Sequence, residues 1–507
     1  MKQLIIGRLP GNDIVINDKY VSRRHCSLNI YDDGRVSIRD LGSKTGTYVN
    51  GKRITGEYFL EPHDRIRIGK TEIPWTKYVT PVSPGYAKTQ IFSAAQPVKK
   101  SLFQRKKHFN PFTRPWVRNL MYAAGVIIIL GTLTYFVFFF HPTYTFDKNY
   151  SNMMGEAMEM VQTPDDGYAF VAQTNYEEDG NTKSRSVIVK IDKKGELIWE
   201  QNYPKNDSKL TKPYLENIAL GNDKKSFLVG GTEYYFTDKT RTFVKAKKPV
   251  IFKLDENGKR IWKKNLPNIT YGKVKKILPV KEGYLVAVED FGNKPYLFKI
   301  KENANIVWKK KIGPSDFTPY NIIKLPHGKI MVVGGTDDDG GYAVLMDENG
   351  NKKWSKHYEK NSHAVLTGAA PTKEGYILAG IKNTNSNEAQ GMVLFIQENG
   401  MIASKKFFGG DEDDEFVTII PHGKGYVIGG NTESEGEGGS DAWFIKIDDK
   451  GNPIWEKTIG GENDDEINYM IKTSDGNFAA CGVNGSKNEG DYNPWVIKLN
   501  KKGEINR

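Results

Sequence analysis

Three short stretches near the amino terminus carry side chains whose types suit charge recognition: Gly7-Arg8, then Ser22-Arg23-Arg24-His25, then Gly46-Thr47-Tyr48-Val49-Asn50-Gly51. They point to anion binding rather than to bond-breaking. A phosphate dianion needs a fork of fixed donors, and a guanidinium plus a hydroxyl on neighbouring loops supplies that geometry. No kinase, phosphatase or nucleophile motif accompanies them, and the eight histidines are scattered, so no catalytic triad is legible. The chain is therefore expected to be a binding protein and not an enzyme.

Loops of this kind need a rigid frame. Residues 1–80 alternate short apolar runs with turn signals (LIIGR, DIVIND, HCSLNIYDDG, VSIRDLGS, TYVNG, DRIRIG), the pattern of strands and hairpins. A small β-sandwich is the expected fold, with Gly7, Gly46 and Gly51 at turn positions that need unusual backbone angles. Over about 75 residues the order and spacing of the three motifs resemble the forkhead-associated (FHA) family, whose members bind phosphothreonine peptides. The resemblance implies that Arg8 and Ser22 hold the phosphate, that Arg23 adds charge, and that Asn50 bonds the peptide backbone beside it. His25 reads as a structural residue bracing the loop. Only six residues precede Gly7-Arg8 where the family usually has two more strands, so the sandwich is expected to be short at one edge, and Thr45 stands where the family often has asparagine.

The net charge of +12 is unevenly spread. Residues 1–80 carry 14 Lys/Arg against 9 Asp/Glu, residues 81–118 carry 8 against none, and the remaining 389 residues carry 51 against 52. The basic stretch lacks the folded, aromatic-interleaved face that a nucleic-acid groove needs, so no nucleic-acid partner is expected. It reads instead as a tether beside a membrane. Leu120 to Phe140 (LMYAAGVIIILGTLTYFVFFF) is 21 residues without a charge or a proline. At about 1.5 Å per residue such a helix spans the roughly 30 Å hydrocarbon core. The expected transmembrane helix is 119–140. Lys99, Lys100, Arg105, Lys106, Lys107, Arg114 and Arg118 flank its amino-terminal side with no acid among them. The positive-inside rule then puts residues 1–118 in the cytoplasm and 141–507 beyond the membrane. Cys26 and Cys481 fall on opposite sides in this reading and cannot pair.

Residues 141–507 repeat. A strand, a polar turn ending in glycine and a tryptophan recur as KIDKKGELIW to Trp199, KLDENGKRIW to Trp262, KIKENANIVW to Trp308, LMDENGNKKW to Trp354 and KIDDKGNPIW to Trp455. FIQENGMIAS places Ser404 at the tryptophan position, and KLNKKGEINR ends at Arg507. Between the copies lie apolar runs such as SFLVGG, KIMVVGG, GYILAG and GYVIGG. Most spacings are 46 to 52 residues, with one of 63 where an insertion falls around Tyr234 to Lys248. Repeats of about 40–50 residues with four short strands each indicate propeller blades. Seven are counted. Setting Gly167 on Gly476 puts Phe146 on the Trp455 position, so the segment Thr145 to Tyr150 should supply the missing strand of the blade formed by residues 475–500.

The tryptophans read as docking residues between blades. The acid clusters Asp411 to Glu415 and Glu462 to Glu466 could bind calcium, which takes several carboxylate oxygens, but they fall at equivalent repeat positions and read as turn-formers, so no metal or cofactor is expected. The turn-glycine-tryptophan repeat resembles the docking motif of quinoprotein dehydrogenases, but those have eight blades and often an adjacent cysteine pair that is missing here. The resemblance therefore stops at the scaffold. The whole reads as an all-β chain of four parts: an FHA-like domain (1–80), a basic linker (81–118), one transmembrane helix (119–140) and a seven-bladed propeller (141–507). Its expected partners are a phosphothreonine-containing cytoplasmic protein and an unknown ligand or protein outside.

Overall fold

The computed structural model describes residues 2–78 and 144–505, apart from short stretches at 9–11, 17–19, 32–34, 44, 62, 179–180, 204–210, 238–242, 292–294, 338–339, 384–387 and 488–490. Two compact units divide the chain, Met1–His141 and Pro142–Arg507. The expected linker and membrane helix lie outside the described residues. Among the described residues no helix is long and apolar enough to cross a membrane.

In the first unit the alternating apolar runs become strands of two packed sheets. They are β1 (Lys2–Gly7), β2 (Ile14–Val15), β3 (Cys26–Ile30), β4 (Val36–Asp40), β5 (Thr47–Val49), β6 (Lys52–Arg53), β7 (Tyr58–Phe59), β8 (Ile66–Ile68) and β9 (Thr71–Ile73). One sheet runs in the order β2-β1-β3-β4-β7 and the other β6-β5-β8-β9. Period-two alternation turns Leu4, Ile6, Leu28, Ile38, Val49, Ile66 and Ile68 into the shared core. Trp75 closes one end, its indole N–H donating to the Asp64 carbonyl at 2.8 Å. The expected open edge beside β1 is covered differently from the sequence reading: β2 folds back and pairs with β1 in parallel. The edges of that sheet are thus the two-residue strands β2 and β7, which are too short to template another chain. Cys26 is a free, buried thiol, pushed up to about 12 by burial and by the neighbouring Asp40 charge.

The second unit is built of four-stranded antiparallel blades. Their inner strands are Met154–Gln162, Thr211–Leu220, Gly272–Val280, Thr318–Lys324, Val365–Pro371, Asp414–His422 and Asp465–Lys472, which we number blades one to seven. Neighbouring inner strands touch in sequence, and that of blade seven touches that of blade one, so the ring closes. Blade seven completes itself with β10 (Phe146–Asn149), which pairs antiparallel with Asn493–Leu499. Phe146 faces Lys498 in the register in which Trp199 faces Lys190, Trp262 faces Lys253 and Trp455 faces Lys446. The alignment read from the sequence is therefore the pairing in the fold.

The repeated turn has a local cause. Asp192, Asp255, Asp347 and Asp448 each accept two backbone N–H bonds through Oδ1, which closes the loop before the outer strand. The turn glycine has positive φ, +84° at Gly195 and +76° at Gly258. It also meets the preceding blade. A Cβ on Gly258 would lie 2.8 Å from the Trp199 ring, and one on Gly195 would lie 2.8 Å from Phe146. Each aromatic thus docks on the next blade's turn, with the tryptophans only half-buried. Phe146 performs that docking where the ring closes.

Candidate functional site

The site in the first unit is assembled by β1, β3 and the loop that leads into β5. Ile6 pairs with Cys26, which brings the residues after β1 beside those before β3. The Arg8 N–H then donates to the Ser22 carbonyl at 3.1 Å, and the His25 N–H to the Ile6 carbonyl at 2.7 Å. Gly7 is required by this approach, because a Cβ there would lie 2.0 Å from the Arg23 carbonyl oxygen. Asn12 fixes the same carbonyl from the other side, donating at 2.5 Å. The third loop joins through Thr45, whose hydroxyl donates to the Tyr20 carbonyl at 2.7 Å.

His25 ties the loops from beneath and is fully buried. Its Nδ1 accepts from the Ser22 N–H at 3.1 Å, and its Nε2 lies 3.2 Å from the Gly46 carbonyl. An accepting Nδ1 cannot carry the proton, so the neutral ring holds it on Nε2 and donates to Gly46. Asp40 orders the loop between them by accepting from the Gly42 and Ser43 N–H groups at 2.9 and 2.8 Å. Burial opposes its charge, but hydrogen bonds from Thr47 and Ser43 outweigh that and hold it below the usual carboxylate range. His25→Ala leaves a buried donor and a buried acceptor unpaired, each costing about 1–3 kcal/mol. We expect a fall of roughly 5 °C or more in the unfolding midpoint of this small unit, followed by far-UV dichroism, together with weaker anion binding although Arg8 is untouched.

The cations remain available. Arg8 and Arg24 are exposed and Ser22 and Arg23 half-buried. Among the described residues none of the three arginines has a carboxylate partner. Arg8, Ser22 and Arg23 are thus brought together, with Gly46 and Thr45 on the adjoining rim.

Asn50 is not brought there. It lies beyond β5, four residues from Gly46, or about 13 Å along an extended strand. Its amide donates to Asp64 at 2.6 Å, its carbonyl accepts from the Arg65 N–H at 3.0 Å, and its φ is +52°. With Gly51 at +81° and Tyr48 paired with Arg53, it forms a two-residue hairpin turn of the primed type. Asn50 thus holds a turn in this fold, and the Asn-Gly pair between two strands was the signal for it. Thr45 and Asn12 are the rim and loop-fixing residues that sequence reasoning did not assign.

The family profile described as FHA domain matches residues 4–69. The amino-terminal unit is an FHA domain. Over 64 residues this stretch is 42% identical to an oxoglutarate dehydrogenase inhibitor of Corynebacterium efficiens, covering 13% of this chain and 44% of that protein. It is 39% identical over 64 residues to the glycogen accumulation regulator GarA of Mycolicibacterium smegmatis, covering 13% and 39%. The chain thus spans less than half the length of these curated relatives. A solved structure from a study of phosphothreonine-dependent FHA domain interactions is 36% identical over 14% of this chain and 71% of that one, with a TM-score of 0.13. A second profile, described as outer membrane protein assembly factor BamB, matches residues 247–383, which lie in the propeller rather than the FHA domain.

The propeller offers a second concave surface along its axis. Each inner strand carries one bulge at the same place, and the extra residues are Met158, Glu216, Lys275, Tyr320, Thr367, Val417 and Asn468. All seven line one cavity of ≈ 410 Å³. Amides in its lining stitch the blades together: Asn217 donates to Val274, Asn321 to Thr367 and, across the closure, Asn468 to Ala157 at 2.9, 3.0 and 3.1 Å. A buried ion pair joins Glu159 of blade one to Lys276 of blade three at 2.7 Å, and the ammonium sits 3.8 Å from the Tyr469 ring centroid of blade seven. Burial opposes the Lys276 charge, but Glu159 and Tyr469 outweigh it and hold the amine above the usual lysine range.

Proposed function

We propose that this chain is a single-pass membrane protein for signalling or scaffolding. In this reading the FHA domain docks a phosphothreonine-containing protein in the cytoplasm, and the propeller binds an unknown ligand or protein on the far side. The observation that carries it is that Arg8, Arg23 and Ser22 come together on loops locked by His25, the two guanidinium groups having no carboxylate partner among the described residues. A preorganised cationic notch binds a phosphate dianion without first breaking internal ion pairs. The phosphothreonine dependence named for a similar solved FHA domain supports the ligand class. The uncharged stretch 119–140, with basic residues on one flank, supports the anchor and its orientation.

The BamB-type match of residues 247–383 favours a second reading, a structural subunit of an envelope or secretion assembly that works without phosphate. One titration separates the two. Full-length protein should bind a degenerate phosphothreonine peptide pool at least about tenfold tighter than the same pool with threonine, a difference of about 1.4 kcal/mol. Equal affinity for both pools, with partner capture from cells unchanged by phosphatase, would favour the assembly reading.

A further inference from the structure

Adjacent blade junctions near the ring closure are built alike, which makes one of them informative. Where blade five meets blade six, the first inner-strand residue Asp414 is fully engaged by the Thr432 hydroxyl and by the Gly410 N–H at 2.7 Å. Where blade seven meets blade one, the third strand opens on Asn493, whose amide donates to the Met153 carbonyl at 3.1 Å. Where blade six meets blade seven, both positions are acidic. Asp441 and Asp465 are Cα partners in a single parallel bridge between the two blades, and they are 1% and 0% exposed.

Half of each carboxylate has a partner. Asp441 Oδ2 accepts from the Glu437 N–H at 2.6 Å, and Asp465 Oδ1 accepts from the Gly485 and Ser486 N–H groups at 3.0 and 3.2 Å. The other oxygens, Asp441 Oδ1 and Asp465 Oδ2, are buried without a hydrogen-bond donor, although the Gly461 N–H lies near enough to Asp441 to favour its charged form. Glycines admit the surrounding backbone: a Cβ would lie 1.8 Å from Asp441 Oδ2 at Gly436 and 1.7 Å from Oδ1 at Gly460. Burying two adjacent carboxylates, each with an unpaired oxygen, is strongly unfavourable unless a proton or a cation is shared between them. Among the described residues no group of three or more Cys, His, Asp or Glu side chains is placed to hold a metal ion, so a cation here would have these two carboxylates as its only charged ligands. Oxygen ligands suit calcium rather than a softer metal.

We propose that the junction of blades six and seven is a calcium site, with Asp441 Oδ1 and Asp465 Oδ2 as its charged ligands. The ion would clamp the blade that β10 completes. Trp443, two residues from Asp441 and fully buried, is placed to sensitise a bound lanthanide.

The test uses the full chain, detergent-solubilised and stripped with a chelator. Terbium should give saturable, tryptophan-sensitised luminescence that calcium displaces. Calcium at a hundredfold excess over its dissociation constant should raise the propeller's unfolding midpoint by roughly 3 °C or more. Asp441→Asn and Asp465→Asn should each lose both responses, whereas Asp414→Asn keeps them. In chelator the two Asn variants should melt no lower than wild type, since each removes one of two repelling charges. Failure of wild type to respond to either ion, or responses that survive in both Asn variants, would overturn the site. So would Asn variants that melt lower than wild type in chelator, which would make the pair a hydrogen-bonding element only.

Discussion

Replacing Arg8 with alanine is expected to weaken phosphothreonine-peptide binding by about 10- to 150-fold while leaving the fold unchanged. A hydrogen bond to a charged group contributes about 1.5–3 kcal/mol, and each 1.4 kcal/mol is tenfold in affinity. The side chain is exposed and has no partner among the described residues. What Arg8 contributes to the domain is its backbone N–H on Ser22, which alanine keeps. The unfolding midpoint should therefore stay within about 1 °C, so lost binding cannot be assigned to lost structure. Arg8→Lys should fall between the two, because an ammonium retains charge without the planar fork. Calorimetric titration at fixed ionic strength reads all three, and a parallel salt series shows how much of the effect is screened attraction. Unchanged affinity in Arg8→Ala would remove the notch from the account.

Particular residues show where sequence reasoning reaches and where it stops. Gly7, Arg8, Ser22 and Arg23 were legible because their neighbourhood is made by one antiparallel pairing, β1 with β3, which the apolar alternation already implies. The bonds that hold Asn50 were not legible because its partners, Asp64 and the Arg65 N–H, lie just before β8, the strand that pairs with β5 only once the sheet has formed. A motif names a residue but not the direction in which its side chain turns. Phe146 was legible because a closed ring must supply every blade with an outer strand, so a missing strand predicts its own location. The seven inner-strand bulges were not, since an extra residue merely breaks a period-two pattern and leaves no mark of its own. The Glu159–Lys276 pair joins residues 117 apart on non-adjacent blades, and no local pattern encodes such a contact. At the six–seven junction Asp465 was visible only as part of the acid-rich stretch Glu462 to Glu466 and Asp441 not at all, because the sequence cannot show that the two are buried side by side.

Phe146→Ala should produce the largest loss of stability of any single apolar truncation on the propeller's outer strands. Phe146 is 5% exposed and packs against Tyr168 with ring centroids 5.8 Å apart, and it abuts the Gly195 turn of the next blade. Truncating a buried phenylalanine costs about 3–5 kcal/mol, which for a unit of this size lowers the midpoint by roughly 5 °C. Exposed Ile198, on the outer strand of blade one, is the control, with an expected cost within about 0.5 kcal/mol for Ile198→Ala. Deleting residues 144–150 should do more than add up such terms. It removes four backbone pairings with Asn493–Leu499, the Trp495 indole bond to Asp147 at 2.6 Å and the Tyr150 hydroxyl bond to Gly195 at 3.0 Å. It also leaves a long, apolar strand edge uncovered, which invites pairing with another chain. The deletion should therefore broaden the calorimetric transition and drive association visible by light scattering, whereas in an open stack the loss would stay confined to one terminal repeat. A deletion variant that melts as sharply as wild type and remains monodisperse would show that closure contributes nothing to cooperativity.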